Sequence, residues 1–218
     1  MRSAVVRRLW ATALLAAVLV VAGCTPAARS ELPRELRGPE VNSARQKAIG
    51  AADEDLRRLT GSAPLKANLD GCRDLRPRHA GISWRCAVVR TATVSNADAV
   101  AGLDDQHARL LDHGCAAFPG LATTRDRLAS GIAVAELAEV TYHCPDSTIV
   151  SVRFSEPHDD DLAAKLDLTT LAHGPGAANV VSSQPVARAN LDRLSDDRSQ
   201  RLIMVVSVVR SYWSTPAE

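Results

Sequence analysis

The sequence predicts an α+β domain: an antiparallel or mixed β-sheet with helices mainly on one face, held by two disulfides. Three observations carry this. Segments with helical apolar spacing occur among β-branched runs of five to thirteen residues, tight-turn signals join neighbouring strands, and the cysteines beyond residue 24 are even in number.

The first predicted helix starts near Ser43, where Ser43-Ala44-Arg45-Gln46 fits a capping box that satisfies free amides at a helix start. Ile49, Ala52, Leu56 and Leu59 recur at helical spacing, and Gly61 with Pro64 ends the segment. Leu65 to Leu69 alternates as a short strand, and Ile82 to Val94, around Trp84, is a longer β-branched one. A second helix is capped at Asn96 or Asp98 and runs to His113, with Val100, Leu103, His107, Leu110 and Leu111 on or near one face. Gly114 stops it.

From Cys115 to Gly131 the pattern is irregular, with a turn at Phe118-Pro119-Gly120. Ile132 to Cys144 and Ser147 to Phe154 then read as strands joined by a tight turn at Pro145-Asp146. A third helix opens at Pro157 and Asp159 to Asp161, continues through Leu162, Leu166 and Leu171, and closes at Gly174-Pro175-Gly176. A strand at Asn179 to Ser182, a helix from Pro185 to about Leu194 and a buried central strand from Leu202 to Val209 complete the chain. That last run is too short to span a membrane as a helix, which takes roughly 20 apolar residues.

The N-terminus has a different logic. Arg2, Arg7 and Arg8 precede an uninterrupted apolar run from Trp10 to Val21, the layout of a signal peptide. Val21-Ala22-Gly23-Cys24 follows directly, and it resembles the lipobox of bacterial lipoproteins: Leu or Val, a small residue, Gly or Ala, then Cys. The resemblance covers residues 1–24. It implies cleavage before Cys24, a diacylglyceryl group on the Cys24 sulfur, and fatty acylation, palmitate being a typical chain, of the freed amine. One acyl chain binds membranes only marginally, whereas two or three anchor stably. A twin-arginine export route is weakly indicated by Arg7-Arg8-Leu9-Trp10, from which Ala11-Thr12 departs.

The expected organisation is therefore a lipoprotein signal peptide at 1–23, a lipid anchor and flexible tether at 24–42 and a single extracytoplasmic domain at 43–218. The tether is inferred from Pro26, Pro33, Gly38 and Pro39 standing among charges without apolar periodicity. Arginine far exceeds lysine, present only as Lys47, Lys66 and Lys165, and Ala, Val, Leu and Asp are abundant, a composition expected of actinobacterial coding. Removal of the signal leaves 23 basic against 25 acidic residues. No basic surplus remains to bind nucleic acid or a polybasic-seeking lipid surface, so the expected membrane partner is met through the lipid on Cys24 alone.

Cys72, Cys86, Cys115 and Cys144 are expected to form disulfides in an oxidising compartment. Four cysteines allow three pairings. A faint internal echo favours 72 with 86 and 115 with 144: Gly71-Cys72 is answered by Trp84-Arg85-Cys86, and Gly114-Cys115 by Tyr142-His143-Cys144, as if the chain held two degenerate αββ units. His113-Gly114-Cys115 also resembles the His-Gly-Cys core of L,D-transpeptidases, which implies a nucleophilic Cys115. That family has Ser or Thr before the His and a polar residue or Arg after the Cys, where Asp112 and Ala116 stand here, and the preceding segment reads as helix. The disulfide reading is preferred, and no catalytic residue is assigned.

No metal site or cofactor is assigned either. CxxC and HExxH spacings are missing, as are nucleotide-binding loops and a GxSxG elbow. His158-Asp159-Asp160-Asp161 has a structural role as the acidic start of a helix. His107 and His113 read as surface or satisfied histidines, and Tyr212-Trp213 closes the core or serves as an exposed partner anchor. The function expected from these features is a non-enzymatic binding or accessory module at the cell envelope, with a protein partner there. The alternatives are a small-ligand or solute-binding lipoprotein and a cell-wall enzyme of unrecognised type.

Overall fold

A computed structural model describes residues 34–61, 65–75, 82–96, 98–130, 139–155, 178–184 and 202–216. The lipobox and Cys24, the helices expected at 157–171 and 185–194, the acidic run after His158 and the first part of the strand expected at 132–144 lie outside these residues.

Helix α1 is Pro39–Thr60 and begins four residues before the expected Ser43 cap. Proline explains the earlier start: its fixed φ suits the first helical position, and its missing N–H is one that the helix would leave unbonded anyway. Gly38 is the N-cap, without a side-chain cap bond, and Glu40 places an acid in the first turn. At the other end Gly61 takes φ 63°, and its N–H bonds the Arg57 carbonyl at 2.8 Å. Ala48, Ala52, Leu56 and Leu59 form the buried stripe, with Val41 buried nearer the start.

Among the described residues the sheet has seven strands, all antiparallel: β1 Leu65–Asp74, β2 Ile82–Asn96, β3 Ala116–Ala117, β4 Glu139–His143, β5 Thr148–Ser155, β6 Ala178–Gln184 and β7 Leu202–Pro216. The spatial order is β3-β4-β5-β7-β2-β1-β6. The two 15-residue strands β2 and β7 are its spine, paired from Ile82 opposite Pro216 to Asn96 opposite Leu202. Register shifts beside Trp84 and between Cys86 and Ala87 act as bulges.

Strand β7 therefore extends well past Val209, where the apolar run ends. Its far half carries Arg210, Ser211, Trp213 and Ser214, which pair with β2 despite their mixed polarity, and Tyr212, the extra residue at the bulge. Backbone pairing to a long neighbour outweighs composition there.

Helix α2, Ala99–Asp112, is capped by Asp98, whose carboxylate accepts from the Val100 and Ala101 amides. Leu103 and Leu110 are buried, whereas Leu111 is exposed. Within the stretch expected to be irregular, β3 is followed by helix α3, Leu121–Ala129. Its inner face includes Thr124 and Leu128, and a threonine in the stripe interrupts the apolar spacing that would reveal a helix.

The sheet is buried on both faces at its centre. On one, Val88, Ala92, Val150, Val152, Phe154, Met204, Val206 and Val208 form one cluster with buried side chains of α1, α2 and a third described helix, Leu121–Ala129. On the other, Ala67, Leu69, Val89, Thr91, Thr93, Ile203, Val205 and Ser207 are also buried. Double burial accounts for the nearly continuous apolar sequence of β7. Within the second face, Thr91 and Ser207 satisfy each other through a 2.9 Å hydroxyl bond.

Candidate functional site

The strongest candidate site is a cleft of about 190 Å³ where the C-terminal ends of α1 and α2 meet the β4–β5 turn and the middle of β7. Local chemistry builds it. His113 caps α2 through its N–H to the Arg109 carbonyl, and Gly114 reverses the chain at φ 74°. Such a conformation is costly for residues with a Cβ. Cys115 follows, with its amide on the Leu110 carbonyl at 3.0 Å.

On the opposite wall Asp146 and Ser147 both have positive φ, the requirement of a type I′ turn, and the Thr148 amide bonds the Pro145 carbonyl. The Cys115–Cys144 disulfide joins the end of α2 to this turn. It forms one side of the cleft, and Leu59, Leu110 and Val150 supply apolar lining.

Arg210 is the central polar group. It faces the helices from β7, opposite Thr148 on one side and Val88 on the other. Its Nε donates to Thr148 Oγ1 at 2.9 Å and its Nη2 to Asp146 Oδ2 at 3.2 Å. Nη1 lies 4.0 Å from Asp55 Oδ2 on α1, beyond hydrogen-bond reach. The Arg210 side chain is 17% exposed and that of Asp55 31%. Arg58, one turn after Asp55, donates from Nε to Glu54 at 2.7 Å and lines the cleft beside His113. Together with Arg57 it holds the Glu54 carboxyl below its ordinary range.

A second polar cluster is structural. Asp70 on β1, 1% exposed, accepts from Tyr212 Oη at 3.0 Å and pairs with Arg45 Nε of α1. Burial first, then the Asp70 charge and hydrogen bond, raises the Tyr212 pKa. Tyr212 and Trp213 pack against a buried group formed by Leu36, Trp84 and the Cys72–Cys86 disulfide. Of the two roles weighed for this aromatic pair, the packing matches core closure.

The disulfides are 72–86 and 115–144, the pairing favoured by the sequence echo. The first joins residues directly opposite each other on β1 and β2. Cys115 is thus held as a disulfide rather than as a nucleophilic thiolate. His107 Nδ1 lies 3.2 Å from the hydroxyl of fully buried Tyr142, whereas His113 lines the cleft. Among the described residues, no three His, Cys, Asp or Glu side chains gather as a metal site.

Sequence reasoning missed Asp55, Arg58, Asp146 and Arg210. The available signal was Arg210 itself, a charge placed directly after the apolar run of a strand. Comparison with protein-family models, curated proteins and solved structures finds no match.

Proposed function

We propose that this chain is a lipid-anchored extracytoplasmic lipoprotein whose folded domain is a non-enzymatic binding or accessory module at the cell envelope. One observation carries the reading. Four of the five cysteines pair with one another, so the cysteine left over is Cys24, at the position where the lipobox resemblance requires a free thiol. Two disulfides fit an oxidising compartment. No described helix is long and apolar enough to cross a membrane, so attachment in this reading depends on the lipid.

Expression in an actinobacterial host tests it. Intact and peptide-level mass spectrometry of the membrane fraction should find a diacylglyceryl mass on Cys24, and Cys24→Ser should remain unprocessed or be released. An unmodified Cys24, or equal retention of a processed Cys24→Ser protein, would overturn the anchor. Cross-linking in intact cells then seeks the envelope partner.

The cleft beside Arg210 favours the second reading, a small-ligand-binding lipoprotein. It is concave, has an apolar lining and gathers several polar groups, the usual composition of a ligand site. At about 190 Å³ it is below the roughly 300–1,000 Å³ of drug-sized sites, which limits the ligand to a few heavy atoms.

A further inference from the structure

The charges around the cleft are balanced: Arg58 and Arg210 face Asp55 and Asp146, with His113 beside them. A ligand carrying one net charge would be attracted by half of this set and repelled by the other. A ligand carrying both charges meets a partner for each.

The hydrogen-bonding capacity left in the cleft follows the same division. Arg210 uses Nε on Thr148 and Nη2 on Asp146, while Nη1 faces Asp55 Oδ2 at 4.0 Å, an ion-pair distance beyond hydrogen-bond reach. Among the described residues, the Asp55 carboxylate accepts no hydrogen bond and its nearest cation is that same Nη1. Among the described residues, a donor and an acceptor thus stand across from each other as a loose ion pair, with no hydrogen bond between them for a ligand to break. Both side chains are partly withdrawn from water, where charge-assisted bonds are stronger than at a fully exposed site. Pro145 and Cys144 supply the accessible apolar surface beside them, over the buried Leu110 and Val150.

We propose that the cleft binds a free α-amino acid with a compact apolar side chain. Its carboxylate is received by Arg210 Nη1 and the Arg58 guanidinium, its ammonium by Asp55, and its side chain by the apolar lining. This rests on the reading of the cleft as a small-ligand site, and it names the ligand class.

The test is titration calorimetry on the full lipidated chain in detergent micelles, with alanine, valine and leucine in both configurations. For each amino acid, the N-acetyl and the carboxamide analogues remove one charge at a time. At least one amino acid should bind, with both of its single-charge analogues weaker by about tenfold or more, the scale of one lost charge-assisted bond. Asp55→Asn and Arg58→Gln should each weaken it similarly while leaving the circular dichroism spectrum unchanged. Equal binding of either analogue would overturn the amino-acid assignment and leave the small-ligand reading standing. Undiminished amino-acid binding by both variants would place the ligand elsewhere and overturn the proposal. Absence of binding by every probe, with no chemical-shift change at His113, would remove the small-ligand reading together with it.

Discussion

Arg90 Nε donates to Asp53 Oδ1 at 2.8 Å, tying the middle of β2 to α1 through a guanidinium that is 7% exposed and a carboxylate that is 56% exposed. The asymmetry determines what each substitution should do. Asp53→Ala leaves a buried cation with its Nη1 bond to the Val89 carbonyl but without its acid, and should cost about 1–2 kcal/mol. Arg90→Met removes the charge that needed compensation and should cost less. Urea denaturation of the two variants measures the difference, and equal losses would contradict this ranking.

The two tyrosines should stay silent in an alkaline titration until the protein unfolds. Burial, with a smaller contribution from Asp104, pushes the Tyr142 pKa up to about 12, and burial with Asp70 raises that of Tyr212 further. An unfolded tyrosine ionises near 10. Between these values the unfolded chain loses protons that the folded chain keeps, so the stabilisation is complete below about pH 10 and is lost as pH rises toward 12. Tyrosinate absorbance should therefore rise together with loss of the circular dichroism signal. Phenol ionisation near pH 10 in a folded protein would refute the burial of either ring.

Removing either disulfide should lower stability by about 3 kcal/mol, slightly more for the 29-residue separation of Cys115 and Cys144 than for the 14-residue separation of Cys72 and Cys86. The paired serine substitutions differ in a second readout. Only the 115/144 variant should alter the surroundings of His113, because that bridge borders the cleft. NMR of the histidine ring separates the two.

Gly114→Ala tests the chain reversal after α2. An added Cβ would lie 3.6 Å from Pro145 Cγ, an ordinary contact, so the cost comes from the positive φ and should be about 1–2 kcal/mol. A loss much larger than this would mean that the neighbouring turn cannot adjust. Thermal unfolding is sufficient to decide.

Elements that announce themselves through local chemistry were legible. Of the two caps expected for the second helix, Asn96 and Asp98, the structure uses Asp98. Cysteine pairing followed from Gly-Cys and aromatic-x-Cys echoes that fall on neighbouring strands and turns. What could not be read depends on long-range partners. Nothing local to Arg34 through Glu40 shows that Leu36 is buried beside Trp84, whereas Pro39 and Glu40 are local start signals that the reading of this stretch as a tether passed over. The second half of β7 owes its strand conformation to β2, some 120 residues earlier in the chain. The cleft has the same character: Asp55, Asp146 and Arg210 are distant in sequence, and each alone is an ordinary surface charge.

The position of β7 makes it the joint of the sheet. It is the last described strand in the chain, yet it lies between β5 and β2 in the sheet. Taken out of the order, it would divide the sheet into β6-β1-β2 and β3-β4-β5, each with an unpaired edge. Each half contains its own sulfur bridge, so correct oxidation needs only nearby partners. β7 is thus a keystone: a chain cut before Leu202 would keep both bridges' cysteines but lose the strand that joins β5 to β2.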